Sequence, residues 1–195
     1  MELEIKRQIV HAFGVFTILL IQIFGKWYGA LIMLLISVTF LILGEYRKNR
    51  EKYKLLRIKP LDEFEDILED EFKTYERKKE LPFHGAIIFY LGCSLVTILF
   101  QPSIAIASIT VLALSDSLST VIGYFFGKHK LFINKKKSWE GSIIFFVTTF
   151  MILLFFINPI KALIIAIFVT FIEMLPKLDD NLTVSLATGL LIWLI

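Results

Sequence analysis

Along this chain, long apolar runs alternate with short polar breaks and one long charged stretch. Seven apolar segments stand out, at roughly 9–24, 28–44, 83–100, 103–126, 141–157, 160–175 and 182–195. Runs of this kind predict membrane-crossing α-helices. Several fall short of the roughly 20 residues of a comfortable span, and short spans in a bundle can be tilted or half-buried pieces around a cavity. The expected fold is all-α, a polytopic transmembrane helix bundle of about seven spans, forming one integral membrane domain over 1–195. Lys6 and Arg7 before the first run imitate a signal peptide. The run ends in Gly25-Lys26-Trp27-Tyr28 with no small-x-small cleavage site, so it reads as a retained first helix.

The charged stretch, 45–80, reads as a cytoplasmic connector. From Pro60, LDEFEDILEDEFKTYERKKE places Leu61, Phe64, Leu68, Phe72 and Tyr75 in a stripe at helical spacing. Acids crowd its first turns and bases its last, as the helix dipole favours. One amphipathic helix lying at the interface is expected there.

Composition agrees with a bilayer protein. The 195 residues are 56% hydrophobic and 20% charged, with mean hydropathy +0.73. A net charge of +3 gives no argument for nucleic acid. The single Cys93 lies in an apolar run and cannot form an internal disulfide. With seven spans, every Lys and Arg except Lys26 and Lys161 falls on one side, and every Asp and Glu falls on or toward it. The positive-inside rule makes that side cytoplasmic, and it is the working face.

Three clusters on that side could carry chemistry. In ALSDSLSTVIGYFFGKHK, Asp116 interrupts an apolar run, and an ionisable group in a span is functional by default. On a helix it shares a small, polar face with Ser119, Thr120, Gly123 and Gly127, while Leu118, Val121, Ile122 and Phe125 suit lipid. A continuous helix would put Asp116 more than about 15 Å below Lys128. That is too deep to share a phosphate with the loop, so either a break near Gly123 or a course along the interface is expected.

The second cluster is the loop GKHKLFINKKKSWEG. Ser138 is a plausible N-cap for the fifth span, with Glu140 and Gly141 in its first turn. Free N–H groups at that terminus, beside Lys128, Lys130, Lys135, Lys136 and Lys137, make an anion site suited to phosphates. Glu140 in such a place hints at Mg²⁺. The third cluster is EMLPKLDDNLTVSL, where Asp179, Asp180 and Asn181 are either a helix cap or a hard-cation site. His11 lies near the cytoplasmic start of the first span. Lysines, carboxylates and helix N-termini on one membrane face suit phosphoryl transfer, with a lipid as acceptor.

These clusters resemble a known family. Residues 115–130, SDSLSTVIGYFFGKHK, resemble the G-D-A-x-A-x-x-x-G-x-x-x-G-K block of the CTP-dependent polyprenol kinases. That family includes dolichol kinases, plant phytol kinases and the fungal CTP-dependent diacylglycerol kinase. Lys137-Ser138-Trp139-Glu140-Gly141 resembles its K-S-x-E-G motif. Glu173 with Asp179-Asp180-Asn181-Leu182-Thr183-Val184 resembles its E…D-D-N-L-T-V-P block, and Arg7 with His11 its R-K-x-x-H. Ser115 replaces the usual Gly and Ser185 the usual Pro. The related CDP-diacylglycerol synthases end in a longer signature with a G-H-G-G run, which is missing here.

The resemblance implies transfer of the CTP γ-phosphate to the hydroxyl of a membrane lipid alcohol. It implies a catalytic set of Asp116, Asp180 and His11, with the proton acceptor among them left open. Lys128, Lys137, Ser138, Glu140 and Gly141 would bind the nucleotide. Asp116, Glu140, Asp179, Asp180 and Asn181 would hold Mg²⁺. The partners expected are CTP, a lipid alcohol and the bilayer. A cytidylyltransferase that leaves the nucleotide on the lipid is the alternative, and a transporter using Asp116 as a coupling site is a further one.

Overall fold

The computed structural model describes residues 2–49, 81–176 and 179–195. The 45–80 connector and its amphipathic helix therefore lie almost wholly outside the described residues. Among those residues the chain is helical, apart from its connectors and one isolated bridge between Lys130 and Ser138. The helices are α1 (Glu2–Phe13), α2 (Ile18–Lys48), α3 (His84–Leu99), α4 (Pro102–Thr110), α5 (Asp116–Phe126), α6 (Trp139–Leu153), α7 (Pro159–Met174) and α8 (Asp180–Leu194). A 3₁₀ turn, Gly14–Thr17, joins α1 to α2, and a π-helical turn, Val111–Ser115, joins α4 to α5.

By length and composition, two helical stretches could cross a membrane: Arg7–Lys48 and Pro102–Phe126. The first is not one rod. Gly25 has φ +77°, a conformation open to glycine at little cost, and the chain doubles back there. A Cβ on Gly29 would lie 2.9 Å from the Leu20 carbonyl oxygen, which a straight helix would hold more than about 13 Å away along its axis. The first two apolar segments are thus an antiparallel pair, as expected from the Gly25–Trp27 break. The shorter apolar helices α3, α6 and α8 follow the sequence bounds to within a few residues, although α6 stops at Leu153 and not at 157.

The rods alternate in direction. Ser37 donates to the Ile87 carbonyl and Ser94 to the Ala30 carbonyl, so α2 and α3 run antiparallel. Gly92 packs on the Asn181 carbonyl and Gly189 on Phe100, so α3 and α8 run parallel. Lys161 near the start of α7 reaches the Ile195 carbonyl beyond α8, while their other ends meet around Glu173 and Asp180. The result is one end carrying the charged connectors and another closed by Gly25, Gln101-Pro102 and Asn158-Pro159.

An apolar core that includes Met33, Ile109, Phe145 and Ile165 is fully buried, and hydroxyls are buried alongside it. Ser94, Thr97, Ser108, Thr149, Ser185 and Thr188 are fully buried, while Phe155, Ile160, Phe168 and Phe171 project outward. Most of the buried hydroxyls donate to the carbonyl four residues back, as in Thr97 to Cys93 and Thr188 to Val184. Small residues inside let helices approach closely, and most of their hydroxyls stay paired with backbone.

Candidate active site

The charged end gathers side chains from six helices. His11 on α1 faces Asp116 at the start of α5, with Nε2 3.4 Å from Oδ2. The two side chains keep 16% and 14% of their exposure, so the pair is sheltered but reachable. Their contact is not aligned as a hydrogen bond, and Nε2 has no such partner. The Leu112 backbone lies close enough to the His11 ring to act on it. Phe89 sets the ring edge-on, with centroids 5.0 Å apart.

The π-helical turn makes this possible. Leu112 lies in the turn immediately before Asp116. A π turn adds a residue to the helix, and such turns recur at functional sites. The helix does not break at Gly123, and α5 continues to Phe126. The depth problem posed by the sequence is solved from the other side, because the loop after α5 folds back and delivers Lys137 inward. Lys137, Asp180, Asp179 and Arg7 are all close enough to act electrostatically on Asp116.

Lys137 ties the ends of α7 and α8 together. Its ammonium lies 2.7 Å from Glu173 Oε1 and 2.8 Å from Asp180 Oδ2, and it also donates to the Glu173 carbonyl. Burial works against the Lys137 charge, but the Glu173 and Asp180 carboxylates outweigh it and hold its pKa above the ordinary lysine range. Glu173 is 4% exposed and accepts a further bond from Ser142. Asp179 caps α8 through the Asn181 N–H and lies 3.7 Å from His84 Nδ1. The Asn181 side-chain amide donates to the Gly85 carbonyl, while its Oδ1 is buried with no hydrogen-bond partner.

The other expected site residues are placed elsewhere. Glu140 turns away from the cluster, and its carboxylate accepts the Lys128 and His129 backbone N–H groups and sits 2.7 Å from His129 Nδ1. Its own backbone N–H, and then the His129 ring and backbone N–H, pull its pKa down to about 2. Ser138 Oγ accepts the Gly141 N–H and caps α6. A Cβ on Gly141 would come within 2.8 Å of the Ser119 carbonyl, so this glycine seats α6 against α5. Gly123 and Gly127 pack on Ser138 in the same seam. Lys128 is exposed at the mouth of the loop. Among the described residues, no group of three or more His, Cys, Asp or Glu stands close enough to hold a metal ion.

Sequence reasoning missed one member of the cluster and gave two others no role. His84 stood in no motif and is brought in by the left-handed Phe83, φ 61°, that opens α3. Glu173 stood at the head of the E…D-D-N-L-T-V block without an assigned role, and it proves to be a buried partner of Lys137. Arg7 was explained by topology, yet its charge acts on both His11 and Asp116.

An arrangement of a sheltered imidazole, a facing carboxylate and a lysine bridging two more carboxylates can accept a proton and organise charge around a phosphate. Comparison with known proteins points the same way. The chain is similar to plant phytol kinases. It is 31% identical over 142 residues to the probable chloroplastic phytol kinase of Zea mays, covering 63% of this chain and 47% of that protein. The probable phytol kinase 2 of Glycine max is 33% identical over 113 residues, 49% of this chain and 39% of that protein. Phytol kinase 1 of Arabidopsis thaliana is 28% identical over 141 residues, 62% and 46%. The resemblance read from the motifs is thereby borne out. The chain spans about half the length of the curated relatives it matches. No family model and no solved structure matches it.

Proposed function

We propose that this chain is an integral membrane kinase that transfers the γ-phosphate of CTP to the hydroxyl of a lipid alcohol. The observation that carries the reading is the His11–Asp116 pair, 3.4 Å apart beside the Lys137–Asp180–Glu173 bridge, in a chain similar to phytol kinases. The lipid hydroxyl gives its proton to His11 or Asp116 as its oxygen bonds to the γ-phosphorus. The bond from that phosphorus to the bridging oxygen breaks, and CDP leaves. Lys128, at the loop mouth, meets the nucleotide phosphates. Lys137 fixes Asp180, so its main part is positioning.

The donor set suits Mg²⁺ carried in on the nucleotide and not an all-protein cage. Asp116, Asp180 and the unpartnered Oδ1 of Asn181 supply hard oxygen ligands, and such sites commonly use one or two carboxylates plus phosphates and water. Bound there, the ion would neutralise phosphate charge. In this reading the alternating rods are seven membrane crossings with the charged end facing the cytoplasm. The outward apolar side chains and buried hydroxyls support it. The acceptor is a phytol-, polyprenol- or dolichol-type alcohol with its tail against the outer helix faces.

Label transfer tests the proposal. The protein in nanodiscs, with Mg²⁺ and a pool of lipid alcohols, is given γ-labelled or α-labelled CTP, with ATP as competitor. Lipid carrying γ-label and no α-label is the expected result. Lipid carrying α-label would make the chain a cytidylyltransferase instead.

A further inference from the structure

The hairpin between α5 and α6 has two faces, and the site uses one. Lys137 points inward to Glu173 and Asp180, and Leu131 is buried. The other face projects outward and is ordered, not slack. Leu131 N–H donates to the Lys137 carbonyl, Trp139 N–H to the His129 carbonyl and Lys137 N–H to the Asn134 carbonyl. The Asn134 side chain accepts the Lys136 N–H and closes the tip. Held on this frame, Phe132 is 96% exposed with the exposed Ile133 beside it. Lys130, Lys135 and Lys136 are exposed around them, and 128–138 contains no Asp or Glu. At its base stand Tyr124, Phe125, Phe126 and Trp139, all exposed.

Each part has an ordinary explanation alone, since single exposed apolar residues are common and basic loops follow topology. Their combination is specific. Aromatic rings clustered at helix ends mark the level of the membrane interface. An apolar tip ringed by cations just beyond that level matches an anionic headgroup layer. The ammonium groups meet phosphates there while Phe132 and Ile133 reach the acyl boundary. We infer that the Phe132–Lys136 tip docks into the anionic lipid surface of the bilayer that holds the protein. Because Lys137 is the next residue, the lipid surface and the charged site then share one hairpin. This rests on the membrane reading above but not on the kinase chemistry.

The test needs no turnover. Phe132→Cys is labelled with an environment-sensitive fluorophore; Cys93, fully buried, stays unlabelled. The protein is reconstituted into phosphatidylcholine vesicles with or without about a third phosphatidylglycerol, each floated to confirm incorporation. The expected result is a blue-shifted probe, quenched by lipid-borne nitroxide, in the anionic vesicles. Lys135→Glu with Lys136→Glu is expected to lower that preference at least fivefold, since each lysine near an anionic leaflet is worth about that factor. A probe that stays water-exposed in floated vesicles would overturn the docking. An equal shift in neutral and anionic vesicles would overturn the anionic recognition. Failure to float would overturn the membrane reading with it.

Discussion

The two ends of the bundle are built from different materials. The far end closes in tight turns: Gly25 reverses α2, Gln101 leads in an extended conformation into Pro102, and Asn158 caps α7 beside Pro159. Its turns spend their polar groups on backbone, as when Asn158 Oδ1 accepts the Lys161 N–H. The charged end has side chains facing side chains, with His11 Nε2 and Asn181 Oδ1 left unpaired. A buried polar atom without a partner costs free energy; Ser115 and Thr149 carry that cost in the helix seams, while His11 Nε2 and Asn181 Oδ1 carry it among the charged side chains.

That contrast can be broken first at Asp116. Asp116→Asn keeps the size and is expected to cut label transfer by at least about 10²-fold while insertion and the thermal midpoint in detergent hold; retained turnover would refute the site. Next is Lys137→Ala, which leaves Glu173 buried without its counter-charge. It is expected to cost about 3 kcal/mol, the low end for such a break because Lys137 keeps some solvent contact. Adding Glu173→Gln should recover part of the loss, measured by thermal unfolding of both variants. Gly141→Ala forces a contact with the Ser119 carbonyl and is expected to cost about 1–3 kcal/mol. Gly85→Ala, at the same end but with open space around its Cβ, is the control and should change little.

The smallest effect is a pH response of the loop. Glu140 sits near 2 in the folded protein against an ordinary 4.5, so its carboxylate supports the fold. That support is complete above about pH 4.5 and fades as pH falls through 2. The protection of the Lys128 and His129 amides, measured as hydrogen exchange relative to the intrinsic rate at each pH, should therefore fall on acidification. In Glu140→Gln that protection is expected to be lower at neutral pH and to respond less to acid.

The helices were legible in the sequence because a bilayer protein writes them as apolar runs and breaks them with Gly25, Pro102 and Pro159. Asp116 was legible because charge in such a run is costly. The shared face of Ser119, Gly123 and Gly127 was also legible, and it turns out to be the seam that receives α6. What the sequence hid was pairing across elements. Lys137, expected from its motif to meet the nucleotide, is carried by the hairpin to Glu173, 36 positions away. Glu140, read as a ligand, holds the loop because its neighbours in space are two backbone N–H groups. His84 could not be found, since nothing local announces that α3 begins beside α8.

The π-helical turn at Val111–Ser115 also bears on how this site can change. A surplus residue in a regular α-helix would turn everything after it by about 100°, whereas a π turn absorbs it within one widened turn. Deleting a single residue there would give a more regular helix and remove the widened turn from which Asp116 meets His11. The stretch is thus constrained in length by the pairing, and in identity by packing, since Val111, Leu112, Ala113 and Ser115 are fully buried.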